Sequence, residues 1–235
     1  MAKKQSEELQ WLNIRTKLNQ TYQYDIIWEE AISIFDSRLK KKFLDPIQLM
    51  IDNGGNWGAG FAIVSIQCAL IETFAAFRSG KTFNDVAAPK PNYDYYKSKP
   101  LFCEFLRSAG IFEHHFWRFN DKGKVTTDHP YSAIDFYSNV RCGLMHEART
   151  KANWRIKVSP NPQNVKTDIQ FISNILGLNI IYRDILHYRL LHYFDQYKDE
   201  LRLAGDIGNL LRRNFARKLD HLFDYHLDPT FEWWT

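Results

Sequence analysis

Asp135-Phe-Tyr-Ser-Asn-Val-Arg-Cys-Gly-Leu-Met-His-Glu-Ala-Arg-Thr-Lys151 is the stretch that decides how this chain folds. On a helix at about 100° per residue, Phe136, Val140 and Leu144 fall on one stripe, flanked by Ala133 and Tyr137. The segment from about 132 to 149 is therefore expected to be a helix packing that stripe into a bundle. Gly143 would let a second helix approach closely. Arg141 and His146 leave the stripe on opposite shoulders, about 140° apart. A guanidinium can hold a phosphate in a bidentate fork, and an imidazole titrating near neutrality can move a 2′-hydroxyl or leaving-group proton. These are the two side chains a metal-free ribonuclease needs. Their spacing alone weighs little. Fourteen Arg and eight His in 235 residues should give Arg-x4-His by chance roughly half a time, and Arg107…His114 is a looser second match.

Outward from this stretch the pattern stays helical. Amphipathic helices are expected at 7–20 and 25–43, then a short one with Pro46 in its first turn, stopped at Asn53-Gly54-Gly55. Residues 57–77 are expected to form an apolar helix. It carries Gln67 and Glu72 and has no matching second span, so it reads as a buried central helix and not a membrane span. Residues 81–98, with Pro89 and Pro91, read as an exposed loop, and Pro100–Ser108 as a short helix stopped by Gly110. An irregular aromatic stretch runs from His114 to His129. After the motif helix, Trp154–Val158 and Asp168–Phe171 alternate like the strands of a small β-hairpin at about 153–172. C-terminal helices follow at about 178–225, the first over Leu178–Leu203 and the second over Asp206–Tyr225, and then a Trp-rich tail. The expected class is all-α, a single helical domain over 1–235 with a small β-hairpin insertion.

Composition narrows the function. Hydrophobic residues make up 45% and aromatics 15% of the chain, and the net charge is +4. That describes a packed globular protein compatible with a polyanionic partner. Three cysteines without Cys-x-x-Cys spacing suggest free thiols in a reducing compartment, and the N-terminus lacks an apolar signal core. A cytoplasmic protein without membrane contact is expected. No phosphate loop or dinucleotide fingerprint is present, and no cofactor is expected. His187/His192 and His221/His226 repeat a five-residue step, wrong for ligands on one helix face, and no acidic cluster accompanies His114, His115, His129 and Cys103, so no metal is expected. A Cys142 nucleophile served by His146 lacks an orienting third group. The cluster Arg212-Arg213…Arg217-Lys218 reads as a charged outer face. Tyr93, Tyr95, Tyr96 and Trp117 could stack bases, although core packing is commoner.

The phrase Phe136-Tyr-x-x-Val-Arg-Cys-Gly-Leu-x-His146, continued by Glu-Ala-Arg-Thr-Lys and Trp154-Arg-Ile, resembles the HEPN superfamily (higher eukaryotes and prokaryotes nucleotide-binding). Its motif is Arg-x4–6-His on a late helix of an all-α bundle. The resemblance is specific over about 131–157 and only architectural elsewhere. It implies a homodimeric, metal-independent endoribonuclease that cleaves RNA by 2′-hydroxyl attack, often within toxin–antitoxin or phage-defence systems and paired with an antitoxin or defence partner protein. By position, Arg141 and His146 would be the catalytic pair. Glu72, the sole carboxylate within the apolar helix, would match the family's acidic residue on the preceding long helix, with Arg141 as its natural partner. Asn139, in line with His146 at i and i+7, would orient the imidazole or touch a ribose. Arg149 and Lys151 are candidate RNA contacts. Active members usually carry Asn, His or Asp after the arginine; this chain has Cys142, a weak hydrogen-bonding group. That departure keeps an alternative open: a non-catalytic HEPN-like module binding RNA, a nucleotide or a protein.

Overall fold

The computed structural model describes residues 6–19, 25–53, 58–85, 93–112, 115, 116, 122, 124 and 131–225. The expected stop at Gly54-Gly55, Pro89 and Pro91, Trp117, His114, His129 and the Trp-rich tail lie outside them. In chain order the elements are α1 (Ser6–Arg15), α2 (Ile26–Leu39), α3 (Asp45–Asn53), α4 (Ala59–Ser79), β1 (Thr82–Phe83), β2 (Asp94–Tyr95) and α5 (Ser98–Ser108). Then come α6 (Ala133–Phe136), α7 (Cys142–Glu147), β3 (Trp154–Lys157), β4 (Ile172–Ile175), β5 (Leu178–Tyr182), α8 (Arg183–Leu201) and α9 (Gly205–Leu222). The fold is mostly helical with two small sheets. Two compact units emerge, and α4 and α8 each contribute to both.

The first unit comprises Met1–Lys42, Thr73–Tyr96 and Phe194–Thr235. Asp25 caps α2, its carboxylate accepting from the Ile27 N–H at 2.8 Å and so satisfying an otherwise orphaned donor. Phe35 sits at the centre of an aromatic core, 4.4 Å from Phe77 and edge-on to Phe215 at 5.3 Å and Phe194 at 5.4 Å. A buried carboxylate ties the ends of the chain together: Asp220 accepts from Arg15 Nε and Nη2 and from Trp11 Nε1, at 2.7 to 2.8 Å. The cluster around Arg212 is not an outer face. Arg212 is fully buried and donates to the carbonyls of Leu201 and Leu203 at 2.6 and 2.8 Å, while Asn214 and Arg217 donate to Arg78 and Gly80. These side chains close the last turns of α8 and α4, where helical carbonyls lack partners and cations are favoured. Residues 82–83 and 94–95 pair as short parallel strands within the stretch expected to be a loop.

The second unit comprises Phe43–Glu72 and Lys97–Tyr193. Its helix α3 follows α2 through a π-turn at Lys40–Leu44. Pro46 cannot donate the bond a regular helix requires of it, and a widened turn upstream is a common way past such a residue. Helix α4 is long and apolar enough to cross a membrane, yet 61% of its most apolar window is buried in the protein, as in a core helix. Gln67, wholly buried, donates to the Arg183 carbonyl at 2.7 Å, and His187 bonds Gln48 at 3.1 Å.

The expected hairpin at 153–172 is replaced by a three-stranded sheet of order β3-β5-β4. Only β3 matches an expected strand. Its partner is β5, in parallel, and the hairpin is β4–β5. Leu178-Asn-Ile-Ile-Tyr182, expected to begin a helix, is strand β5 and α8 starts at Arg183. Three consecutive β-branched or aromatic residues after the Leu176-Gly177 turn favour the strand. Asp184, in the first turn of α8, accepts the Ser159 N–H at 3.0 Å and pins the chain leaving β3.

Candidate functional site

The motif segment begins where Ser132 caps α6, its hydroxyl accepting from the Asp135 N–H at 3.1 Å. Phe136 and Val140 are completely buried and Leu144 is 7% exposed, so the apolar stripe packs as its periodicity requires. Phe136 lies edge-on to Trp154 at 5.4 Å and stacks on Phe102 at 6.3 Å, anchoring the segment to β3 and α5. The helix is not continuous α. Tyr137–Arg141 forms a π-turn, closed by the Cys142 N–H donating to the Tyr137 carbonyl. Such insertions recur at functional sites.

The wider turn has two consequences. It frees the Asn139 carbonyl to accept the Lys151 N–H at 2.8 Å, tying the returning loop to the helix. It also spoils the i, i+7 alignment of a regular helix. Asn139 does not orient His146: its amide donates to Asp135 one turn back, at 2.6 Å. Gly143 serves that loop and not a second helix. A Cβ there would stand 2.5 Å from the Arg149 carbonyl oxygen, and the Arg149 N–H bonds the Gly143 carbonyl at 3.3 Å. Helix α7 ends at Glu147, with Ala148 in the left-handed conformation at φ 51°.

Arg141 closes the π-turn and reaches Glu72, its Nη2 lying 3.2 Å from Oε2. The two side chains are 20% and 19% exposed. The guanidinium also lies over the Tyr137 ring, 5.5 Å from its centroid. Burial works against the positive charge, but the Glu72 carboxylate and Tyr137 outweigh it and hold the Arg141 pKa above its usual value. Arg141 stays charged. Tyr137 in turn bonds Ser98, oxygen to oxygen 2.9 Å, and burial raises its pKa. Tyr137 and Ser98 are site residues that sequence reasoning missed. The available signal was the i, i+4 pairing of an aromatic with the motif arginine.

Cys142 is half-buried, its thiol against Tyr137. Cys68, one turn before Glu72 on α4, is fully buried, and burial pushes its thiol up to about 12. Cys103 is also buried, donating to the Ala133 carbonyl at 3.5 Å. His146 is exposed in the last turn of α7. Four α-helical residues separate it from Arg141, so the two are expected to diverge much as on an ideal helix, and no hydrogen bond joins them among the described residues. Arg149 and Lys151 converge on Glu147: Arg149 Nη2 lies 3.3 Å from its carboxylate, and Lys151 forms a second ion pair. The Lys151 and Arg149 contacts depress the Glu147 pKa.

Other titratable groups lie in the core. His115 stacks on Phe171 at 4.1 Å and its Nε2 accepts the Phe171 N–H. Burial pushes His187 down to about 4. Among the described residues, no three His, Cys, Asp or Glu side chains converge as metal ligands. Tyr93 packs under Arg217 at 4.9 Å, and Tyr95 lies edge-on to Phe83.

The chemistry on offer is a charged, one-fifth-exposed guanidinium whose Nε and Nη1 bond no group among the described residues, and an exposed imidazole one residue before Glu147, the carboxylate that Arg149 and Lys151 engage. No protein-family model, curated protein or solved structure matches the chain.

Proposed function

We propose that this chain is a metal-independent endoribonuclease of HEPN type, an all-α HEPN-like bundle acting as a homodimer with each cleft built from two motif helices. The observation that carries the reading is Arg141 itself. Glu72 takes one N–H of Nη2 and the Tyr137 ring lies under the guanidinium face, fixing the group at the π-turn; the second Nη2 N–H, together with Nη1 or Nε, leaves one fork for a phosphate. His146 diverges from it within one chain, and a two-fold partner supplies the missing half, because an isologous contact brings both motif copies together.

In this reading Arg141 binds the scissile phosphate and stabilises the charge that develops on it. His146 removes the 2′-hydroxyl proton or protonates the departing 5′-oxygen. The 2′-oxygen attacks phosphorus and the P–O5′ bond breaks, leaving a 2′,3′-cyclic phosphate and a 5′-hydroxyl. Arg149 and Lys151 neutralise flanking phosphates. The biological setting would be a cytoplasmic toxin or phage-defence effector, held in check by an antitoxin or defence partner. The test is RNA cleavage in EDTA by wild type and by His146→Ala. The reading expects cleavage that survives EDTA and is lost in the variant; cleavage abolished by EDTA, or intact in the variant, contradicts it.

A second reading, a non-catalytic module binding RNA, a nucleotide or a protein, is favoured by the same ion pair, which partly neutralises Arg141, and by Cys142 beside it. It predicts salt-sensitive RNA binding without cleavage, and an expressed protein whose host grows normally.

A further inference from the structure

Beyond the motif helix the surface changes character. From Ala148 to Thr167 the chain carries five cations, Arg149, Lys151, Arg155, Lys157 and Lys166, and no carboxylate. Glu147 engages the first two. Arg155 and Lys157 are exposed on β3, and no carboxylate pairs with either among the described residues. Arg155 folds back to donate to the Trp154 and Ala152 carbonyls.

Parallel pairing sets what lies beside them. Trp154 stands opposite Asn179, and the Asn179 N–H donates to the Asn153 carbonyl at 2.8 Å. The β4–β5 turn at residues 175–178 therefore emerges next to the basic 148–153 loop, which is itself bonded back to the motif segment through Asn139 and Gly143. That turn works against its own backbone. Leu176 and Gly177 have φ of 49° and 79°, the left-handed pair of a tight hairpin, where Asn-Gly or Asp-Gly is the ordinary choice. Leu176 is 98% exposed and Ile175 48%. A leucine there packs against nothing and strains its backbone. A residue that costs the fold locally and returns no packing points to a role outside the fold.

We propose that the β4–β5 turn and the adjoining basic loop dock single-stranded RNA, with Leu176 against the bases and Arg155 on a phosphate beside Arg149 and Lys151. The proposal rests on the ribonuclease reading, since it names the form of substrate led towards His146. Five cations against one carboxylate, Glu147, leave a net positive surface, with Arg155 and Lys157 paired to no carboxylate among the described residues, and such a surface selects a polyanion. An exposed apolar tip gains burial against bases that are unstacked and reachable, which a duplex keeps covered. A second copy of the chain is disfavoured because a two-fold axis through this surface would set like charges against each other. A membrane is disfavoured because the turn offers one fully exposed apolar side chain and not a broad apolar face.

The experiment uses full-length protein in a His146→Ala background, so that RNA stays intact. Fluorescence anisotropy reads binding to a labelled 12-nucleotide oligouridine, and to an RNA duplex, across a salt series. Leu176→Asn, which places a turn-preferring residue at the tip, should weaken oligouridine binding roughly tenfold, as expected for losing the burial of one leucine side chain, with an unchanged salt slope and a melting temperature no lower than that of the background. Arg155→Gln should reduce the slope of log K against log salt by about 0.7. The duplex should bind less tightly and be indifferent to Leu176→Asn. Unchanged affinity and slope in both variants would overturn the proposal. So would a Leu176→Asn defect confined to phosphatidylserine vesicles or to self-association in sedimentation. Cleavage by the wild-type protein is scored separately: binding that depends on Leu176 without any cleavage keeps this surface and rejects only the nuclease reading.

Discussion

Replacing Glu72 with alanine strips a one-fifth-exposed guanidinium of its carboxylate, and the cost can be worked from the geometry. Two unit charges about 4 Å apart attract by roughly 4 kcal/mol at an effective dielectric near 20. Desolvation of both groups takes back much of this. Exposed pairs are worth about 0–1 kcal/mol, whereas breaking a buried pair costs about 3–5 kcal/mol. The Arg141–Glu72 pair lies between these limits, at 20% and 19% side-chain exposure. A loss of about 2 kcal/mol is expected for Glu72→Ala, and a similar loss for Arg141→Ala. The double variant should lose clearly less than the sum, with a coupling of about 1–2 kcal/mol. Urea unfolding followed by tryptophan fluorescence measures all four states. Additivity to within about 0.3 kcal/mol would show that the two side chains do not support each other, and would remove the structural basis for a positioned guanidinium.

Three further outcomes follow from named contacts. His187 has a folded pKa of about 4 against an ordinary 6.5, so the unfolded chain binds its proton first as pH falls. The stability from keeping His187 neutral is complete above pH 6.5 and drains away between 6.5 and 4, by up to about 3 kcal/mol; His187→Gln should flatten that limb of a stability–pH curve, and an unaltered limb refutes the assignment. Gly143→Ala puts a methyl 2.5 Å from the Arg149 carbonyl oxygen and should cost about 1–3 kcal/mol, with faster amide exchange at Arg149 and Lys151; unchanged exchange would mean the loop is not held there. Asp220→Ala leaves Arg15 and the Trp11 N–H buried without their acceptor and should lose about 3–5 kcal/mol in urea unfolding, whereas a loss below about 1 kcal/mol would show that the network is dispensable.

Periodicity made part of this legible. Phe136, Val140 and Leu144 are three residues whose burial follows from a 3.6-residue repeat, and Glu72 stood out as the one carboxylate in an apolar helix, which made Arg141 its natural partner. What periodicity cannot register is a single extra residue in a turn. The π-turn at Tyr137–Arg141 leaves the apolar stripe intact while redirecting Asn139 to Asp135 and its carbonyl to Lys151. Short apolar runs are equally ambiguous: Leu178–Tyr182 suits the start of a helix or a buried strand, and its pairing with Trp154–Lys157 decides the matter only in three dimensions. Arg212 and Arg217 looked like surface charges because the helix ends they close, at Leu201 and Gly80, come from other helices of the chain. The helical wheel set His146 on the shoulder opposite Arg141, and that expected divergence led to the idea of a two-fold site; the structure shows His146 exposed in the last turn of α7.

That site can be tested by complementation. Arg141→Ala and His146→Ala chains, each expected to be inert alone, are co-expressed and assayed on RNA in EDTA. If every cleft takes Arg141 from one protomer and His146 from its partner, half of the dimers are mixed and each keeps one intact cleft, so about a quarter of wild-type cleavage should return. A mixture no more active than either variant alone, or a wild-type protein that leaves RNA uncut in EDTA, would contradict it.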